Sequence, residues 1–370
     1  MKTIAAVVYE TGKPIEIEEL ELDKPRAGEV LIRYTHAGLC HSDVHIAHGD
    51  LEARLPMVLG HEGAGIIEEV GEGVTRVKVG DHVVCSFIPS CGTCRYCSTG
   101  QQSICDMGAT ILEGYLPGER FPITGPQGQY GAMCMLGTFS QYGVIHQNSC
   151  VVVDDDIPLE KGVLVGCGVP TGWGAAVNTA NVQPGDTVAV FGIGGIGINA
   201  VQGARLAGAK NIVAIDPLEN KREKAMELGA THAFATAEEA QTVITDLTRG
   251  QMAESAILTP GLMTSEIVNE GFNAVGKGGT VVMTGLNKLE EQNIQLSGSV
   301  LTLFRKNIKG SLFGDCNPTV DIPKILGLYQ SGDLKLDEIV TKTYRLEDIN
   351  QGYDDLLNGV NVRGVVIHEH

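Results

Sequence analysis

TVAVFGIGGIGINAVQGARLAG, residues 187–208, carries the reading on which the fold turns. A short apolar run ends on Phe191. Four glycines follow within six positions (Gly192, Gly194, Gly195 and Gly197, with Ile196 between the last two), and helix-forming residues continue to Leu206. That is a buried strand, a tight turn and a helix. The next apolar run, NIVAI, ends on Asp216, nineteen residues past Gly197. Glycines at this turn let the backbone approach a pyrophosphate seated on the helix N-terminus, and a carboxylate at the second strand's end accepts from ribose hydroxyls. The same carboxylate repels a 2′-phosphate, so the pattern favours NAD over NADP. With 48 glycines in the chain, the glycine spacing alone is weak evidence. Its weight comes from the order strand, turn, helix, strand, Asp. The plainer alternative is a tight turn with a helix-capping Asp.

Working outward, DTVAVFG, KNIVAID, ESAILT, GGTVVMTGL and NIKGSLFG read as buried strands, with helical stretches such as NKREKAMELG and TSEIVNEGFNAVG between them. Such alternation predicts a doubly wound parallel sheet. Residues 1–150 differ: IAAVVYE, GEVLIRYTHAGL, GAGIIEEVG and GDHVVCSF are short strands separated by Gly and Pro. After about residue 313 come two amphipathic helices and a last strand, VRGVVIHE, too few elements to fold alone. They are expected to return to the first domain.

A chain of 370 residues exceeds the usual size of one core. With 27 basic against 45 acidic residues the net charge is −18, and no basic stripe is visible. Nucleic acid and anionic membranes are therefore poor partners. The uncharged stretch Thr187 to Ala204 holds five glycines, Asn199 and Gln202, which argues against a membrane span. Without an export signal or a span the expected location is cytoplasmic, where clustered cysteines stay reduced and read as metal ligands.

CGTCRYCSTGQQSIC, residues 91–105, offers such a cluster: Cys91, Cys94, Cys97 and Cys105. Four thiolates from one loop close a tetrahedral zinc shell and leave no position for substrate, which marks a structural site. A ferredoxin run also opens C-x₂-C-x₂-C but continues x₃-C-P, whereas seven residues intervene here and Asp106 follows Cys105. Unmetallated thiols are the other alternative. A second inventory holds Cys40, His41, His45, His48, His61 and Glu62 within 23 residues, with Cys167 far along the chain. A catalytic zinc wants three protein ligands and an open position. From spacing alone these residues could equally be a solvated histidine face and core thiols, and the ligands cannot be chosen.

Taken together, GHEGAG, the four-cysteine loop, GCGVPTGWG, FGIGGIG and the terminal RGVV resemble the zinc-dependent medium-chain alcohol dehydrogenases, in order and spacing, over essentially the whole chain. The likeness is strongest to the nicotinoprotein, N,N-dimethyl-4-nitrosoaniline-dependent branch, through GQYGAMCMLGTFSQY, GCGVPTGWG and GINAVQG. The resemblance implies an α/β chain: a GroES-like β-rich catalytic domain at 1–168, completed by 313–370, interrupted by a Rossmann NAD-binding domain at 169–312. It implies Cys40, His61 and Cys167 as catalytic zinc ligands, with Glu62 able to approach the metal and Asp43 fixing the imidazole tautomer. Zinc would stabilise the substrate alkoxide, hydride would pass to NAD, and the proton would leave through Ser42 and a surface His45, giving an aldehyde or ketone. Lys221 is matched to the adenosine ribose, Arg363 to the pyrophosphate, and Thr171 to the nicotinamide. His41 stands where many relatives bind pyrophosphate with Arg. Phe87 and Leu136 are candidates for the substrate pocket. Two Zn²⁺ per chain, a small alcohol or aldehyde substrate and a homodimer or homotetramer follow by the same likeness. An ordinary dehydrogenase releases NADH each turnover. A nicotinoprotein keeps its cofactor and needs a second substrate or an external electron acceptor. Other readings are a thiol-dependent dehydrogenase of formaldehyde adducts and a non-catalytic NAD-binding fold member.

Overall fold

The computed structural model describes residues 1–288, 291 and 294–370. It divides into two compact units: residues 1–167, 317–331 and 336–370, and residues 168–316 with 332–335.

In the first unit the strands Lys2–Val8, Glu16–Leu22, Ile123–Gly125, Gly128–Ala132 and Met57–Val58 close into a small barrel. Leu20, Val58, Leu116, Ile123 and Tyr130 fill it. A second sheet runs Cys150–Val152, His82–Cys85, Glu62–Val70, Glu29–Gly38, Arg363–Ile367 and Val340–Tyr344, with Tyr142–His146 also pairing to Glu29–Gly38. The chain's last strand lies antiparallel to Glu29–Gly38, with Val365 opposite Gly38. The helices Pro318–Gln330 and Ile349–Leu357 belong to this unit too.

The second unit carries a parallel sheet in the order His232–Phe234, Asn211–Ile215, Thr187–Phe191, Ala253–Leu258, Val275–Met283, Asn307–Gly310. Every residue of Thr187–Phe191 and of Asn211–Ile215 is buried. That is what a parallel strand covered on both faces requires, and it explains the unbroken apolar runs. Phe191, Val213, Ile215, Leu258 and Phe272 belong to the core, each apolar side chain contributing roughly 1.5–3 kcal/mol by leaving water. Among the described residues no helix is long and apolar enough to cross a membrane.

Candidate active site and metal centres

Among the described residues two groups of side chains could hold a metal ion, both in the first unit. They are built in opposite ways.

The loop group is local. Cys94 caps the short helix Arg95–Ser98, accepting from the Cys97 amide. Cys91 Sγ lies 3.9 Å from Cys97 Sγ, and Cys94 Sγ 3.9 Å from Cys105 Sγ. Four sulfurs about 2.3 Å from a central ion would stand about 3.8 Å apart, so the loop already has the dimensions of a tetrahedral thiolate shell. Amides point at the sulfurs: Cys94 N at Cys91 Sγ (3.3 Å) and Cys91 N at Cys105 Sγ (3.5 Å). Against burial, the Thr93 and Cys94 amides bring Cys91 down to about 6, whereas burial carries Cys105 up to about 12. Unlike titration within one cluster is what four thiols sharing a confined space must show.

The second group draws one ligand atom from each of Cys40, His61, Glu62 and Cys167, all buried and within 4.8 Å of one another. Cys40 sits in extended backbone (φ −137°) just before the helix His41–His48. Glu62 opens the strand Glu62–Val70 and lies opposite Gly38. Cys167 follows the single helical turn Val163–Gly166. His61 depends on Gly60, whose φ is +91° and where a Cβ would stand 2.5 Å from both the Phe139 amide nitrogen and Thr138 Oγ1. Only glycine passes there. His61 Nδ1 faces Asp43 Oδ1 at 3.3 Å, and the Gly60 amide donates to the same oxygen at 3.0 Å. Asp43 thus fixes the tautomer. His61 Nε2 is left buried without a hydrogen-bond partner, the atom that a metal would take.

The charges add up to a divalent ion. Glu62 is fully buried and pairs with the Arg363 guanidinium, returned on the final strand. Burial lifts the Glu62 carboxyl to about 7 while Arg363 pulls the other way. The hydrogen bond from Cys167 carries Cys40 well below the ordinary thiol range, helped by His61 and Arg363 against burial. Cys167, the donor, is pushed well up by that bond and by burial. In effect the two thiols share one proton, because two thiolates side by side in so dry a place need a cation. With Glu62 balanced by Arg363, two thiolates and one imidazole match Zn²⁺, and the shell keeps an open position. Glu62 stands beside it as a further oxygen donor.

The neighbouring residues differ from expectation in one respect. Ser42 Oγ lies 3.7 Å from Cys40 Sγ. His45 is not at the surface: it is 7% exposed, and its Nδ1 meets Asp50 Oδ2 at 3.0 Å. The helix turns His45 inward, and the left-handed Gly49 (φ 84°) that ends the helix is followed by Asp50, which folds back to meet it. Asp50, 22% exposed along its side chain, was not among the sequence candidates; only its place after a helix-ending glycine hinted at it. His41 opens the helix, half-buried. Phe87 sets its ring edge-to-face on His61, centroids 5.9 Å apart, as an apolar wall. Leu136 is buried and its carbonyl accepts from Tyr34 Oη at 2.9 Å. Arg363 has the Glu62 carboxylate as its partner, and its Nε is buried without one.

In the second unit the glycines of the turn divide their roles. Gly192 has φ +85°, a Cβ on Gly197 would meet Thr259 Oγ1 at 2.6 Å, and a Cβ on Gly194 would meet nothing within 4 Å. Gly192 makes the turn, Gly197 packs the helix Gly197–Leu206 close to the sheet, and Gly194 faces open space where a phosphate chain has room. Gly195 O accepts from Asn199 (2.8 Å), and Ile196 stands just before the helix with no side-chain cap. Asp216 Oδ2 accepts from the Ile193 amide (2.7 Å) and Oδ1 from the Leu218 amide (2.9 Å), so the carboxylate also ties the turn to the next strand. Lys221 is buried on the helix Glu219–Glu227, and Thr171 on the helix Gly168–Gly174. Burial lowers Lys221 while Asp216 opposes it.

Residues 26–155 match the alcohol dehydrogenase GroES-like domain and residues 195–331 the zinc-binding dehydrogenase domain. The chain is 61% identical over 368 residues to an NDMA-dependent alcohol dehydrogenase of Amycolatopsis methanolica, covering 100% of this chain and 99% of the relative. Its fold is similar to a zinc-binding alcohol dehydrogenase domain protein from Burkholderia ambifaria (TM-score 0.93, 33% identity) and to benzyl alcohol dehydrogenase from Acinetobacter calcoaceticus (TM-score 0.92, 31% identity), each covering both chains in full.

Proposed function

The chain belongs to the zinc-dependent medium-chain alcohol dehydrogenases, and from that premise we propose how its residues divide the work and that it keeps its NAD between turnovers. The observation that carries the proposal is the convergence of Cys40, His61 and Cys167 on one buried point, with an unpartnered Nε2 and a charge deficit that a divalent cation repairs. These three residues hold the catalytic zinc, and Cys91, Cys94, Cys97 and Cys105 hold a second, structural one. Bound there, zinc supplies a Lewis acid that eases loss of the alcohol's proton, and NAD supplies the hydride acceptor.

Everything else is done by the chain. Asp43 holds the His61 ring in one tautomer. Phe87 presents an apolar wall that excludes water from the reacting centre. Ser42, beside Cys40, takes the hydroxyl proton, His45 passes it on, and Asp50 brings it to solvent. The turn from Gly192 to Gly197, with Asp216 and Lys221, binds the adenosine diphosphate half of the cofactor, and Thr171 meets its nicotinamide. His41 and Arg363 are the remaining candidates for cofactor binding. The products are an aldehyde or ketone, the assembly a homodimer or homotetramer, and the location cytoplasmic.

Cofactor retention is supported by the 61% identity to an enzyme named NDMA-dependent alcohol dehydrogenase. The purified protein, denatured without added nucleotide, should release about one NAD(H) per chain into the supernatant, and metal analysis should find two zinc ions. A supernatant free of nucleotide overturns the retained-cofactor reading. One zinc or none overturns the division into two centres.

A further inference from the structure

One buried hydroxyl behind the site has no role in the chemistry above. Tyr353 lies on the helix Ile349–Leu357, which packs against the Cys40-bearing segment so closely that a Cβ on Gly352 would stand 2.7 Å from Leu39 Cδ1. Its ring rests edge-to-face on Phe139, centroids 6.2 Å apart, and Phe139 is the residue that crowds Gly60. The side chain is therefore wedged behind the turn that presents His61. Its Oη is buried and has no completed hydrogen bond, and the same is true of Asp43 Oδ2. Asp43 Oδ1 is already taken twice, by the Gly60 amide and His61 Nδ1. Asp43 is among the groups that act on the Tyr353 hydroxyl, both as a charge and as an acceptor. Burial first, and then Asp43, hold the phenol well above its ordinary range, so it remains a donor.

We infer that Tyr353 is a positioning residue: its hydroxyl donates to the free oxygen of Asp43 and so fixes the carboxylate that orients His61 toward the metal. The inference rests on the reading of Cys40, His61 and Cys167 as zinc ligands. A phenylalanine here would pack equally well and leave Asp43 Oδ2 buried and unpaired, a cost felt by the carboxylate and through it by the imidazole. Partners one step removed from a metal typically matter by 10–100-fold in metal affinity.

The test compares the full-length protein with Tyr353→Phe, both carrying zinc, as a chromogenic chelator strips the metal. The wild-type protein should lose its two ions in separate phases, and Cys94→Ser identifies the phase that belongs to the loop. Tyr353→Phe should release the other ion about tenfold faster, leave the loop phase unchanged and shift the melting temperature by no more than about 2 °C. Combined with Asp43→Asn, it should release that ion no faster than Asp43→Asn alone, because both act on one carboxylate. Release at the wild-type rate, acceleration of both phases together, or additive effects in the double variant would each overturn the inference. A wild-type protein with only the loop phase overturns the ligand reading itself, and does so before any substitution is made.

Discussion

The two groups of the first unit that could hold a metal ion spend cysteine differently. The loop draws all its ligands from fifteen consecutive residues, leaves Cys91 and Cys94 half-exposed, and is organised by its own backbone amides. The other group takes Cys40 and Cys167 from distant parts of the unit's first segment, buries every donor, and needs a glycine, an aspartate and an arginine to hold it. A closed shell can be local because it has only to hold. A reactive shell must be assembled from afar, because burial, an open position and a fixed imidazole cannot all come from one loop.

That contrast breaks most sharply at Cys167. Replacing it by Ser should lower kcat by about three orders of magnitude, the several kcal/mol that a Lewis acid contributes, while circular dichroism stays native and metal analysis shows one zinc lost. If the variant keeps its turnover, the loop is the better candidate for chemistry. Next in size is Cys94→Ser, expected to lower the melting temperature by roughly 10 °C through loss of the loop's ion. Activity per folded molecule should be unchanged, as read from kcat at low temperature; a fall in kcat without a fall in stability would reverse the assignments.

The smallest effect concerns acid. Burial holds His368 down at about 4, against the pull of the Thr138 carbonyl to which its Nε2 donates at 2.9 Å. Thr138 Oγ1 in turn donates to the Glu62 carbonyl at 3.0 Å, so this histidine supports the reactive side. Below its ordinary value of 6.5 the unfolded chain binds a proton that the folded chain refuses until about 4. Stability is therefore full above 6.5 and falls by roughly 1 kcal/mol for each pH unit below it. Urea midpoints at about pH 6.5 and 5.5 should show a slope at least that large, and His368→Gln should reduce it, leaving the smaller shares of His36 and His146, which burial also lowers.

Legibility follows the same division. Residues that act through neighbours in sequence could be read directly: the glycine turn with its strand and helix, Asp216 at the next strand's end, and the four-cysteine loop. The sheet of the second unit was equally plain, because strands buried on both faces write unbroken apolar runs. The barrel was less so, since Ile123–Gly125 and Met57–Val58 are too short to show a period. Cys40, His61 and Cys167 were visible as residue types, but only likeness to a family chose them from among the other cysteines and histidines. Glu62 and Arg363 meet across 301 positions of chain, and no local pattern encodes such a pair. Tyr353, in an amphipathic helix, reads as packing and nothing more.

The return of the final strand to Glu29–Gly38 also sets an order of events during synthesis. The loop has all its sulfurs once Cys105 has been made. The partner of Glu62 comes only at Arg363, which at about 5–20 residues per second means on the order of ten seconds or more later. A nascent chain still attached to the ribosome holds every sulfur of the loop while the buried group still lacks both Arg363 and the helix Ile349–Leu357. The local group is therefore complete in the chain before the dispersed one can be.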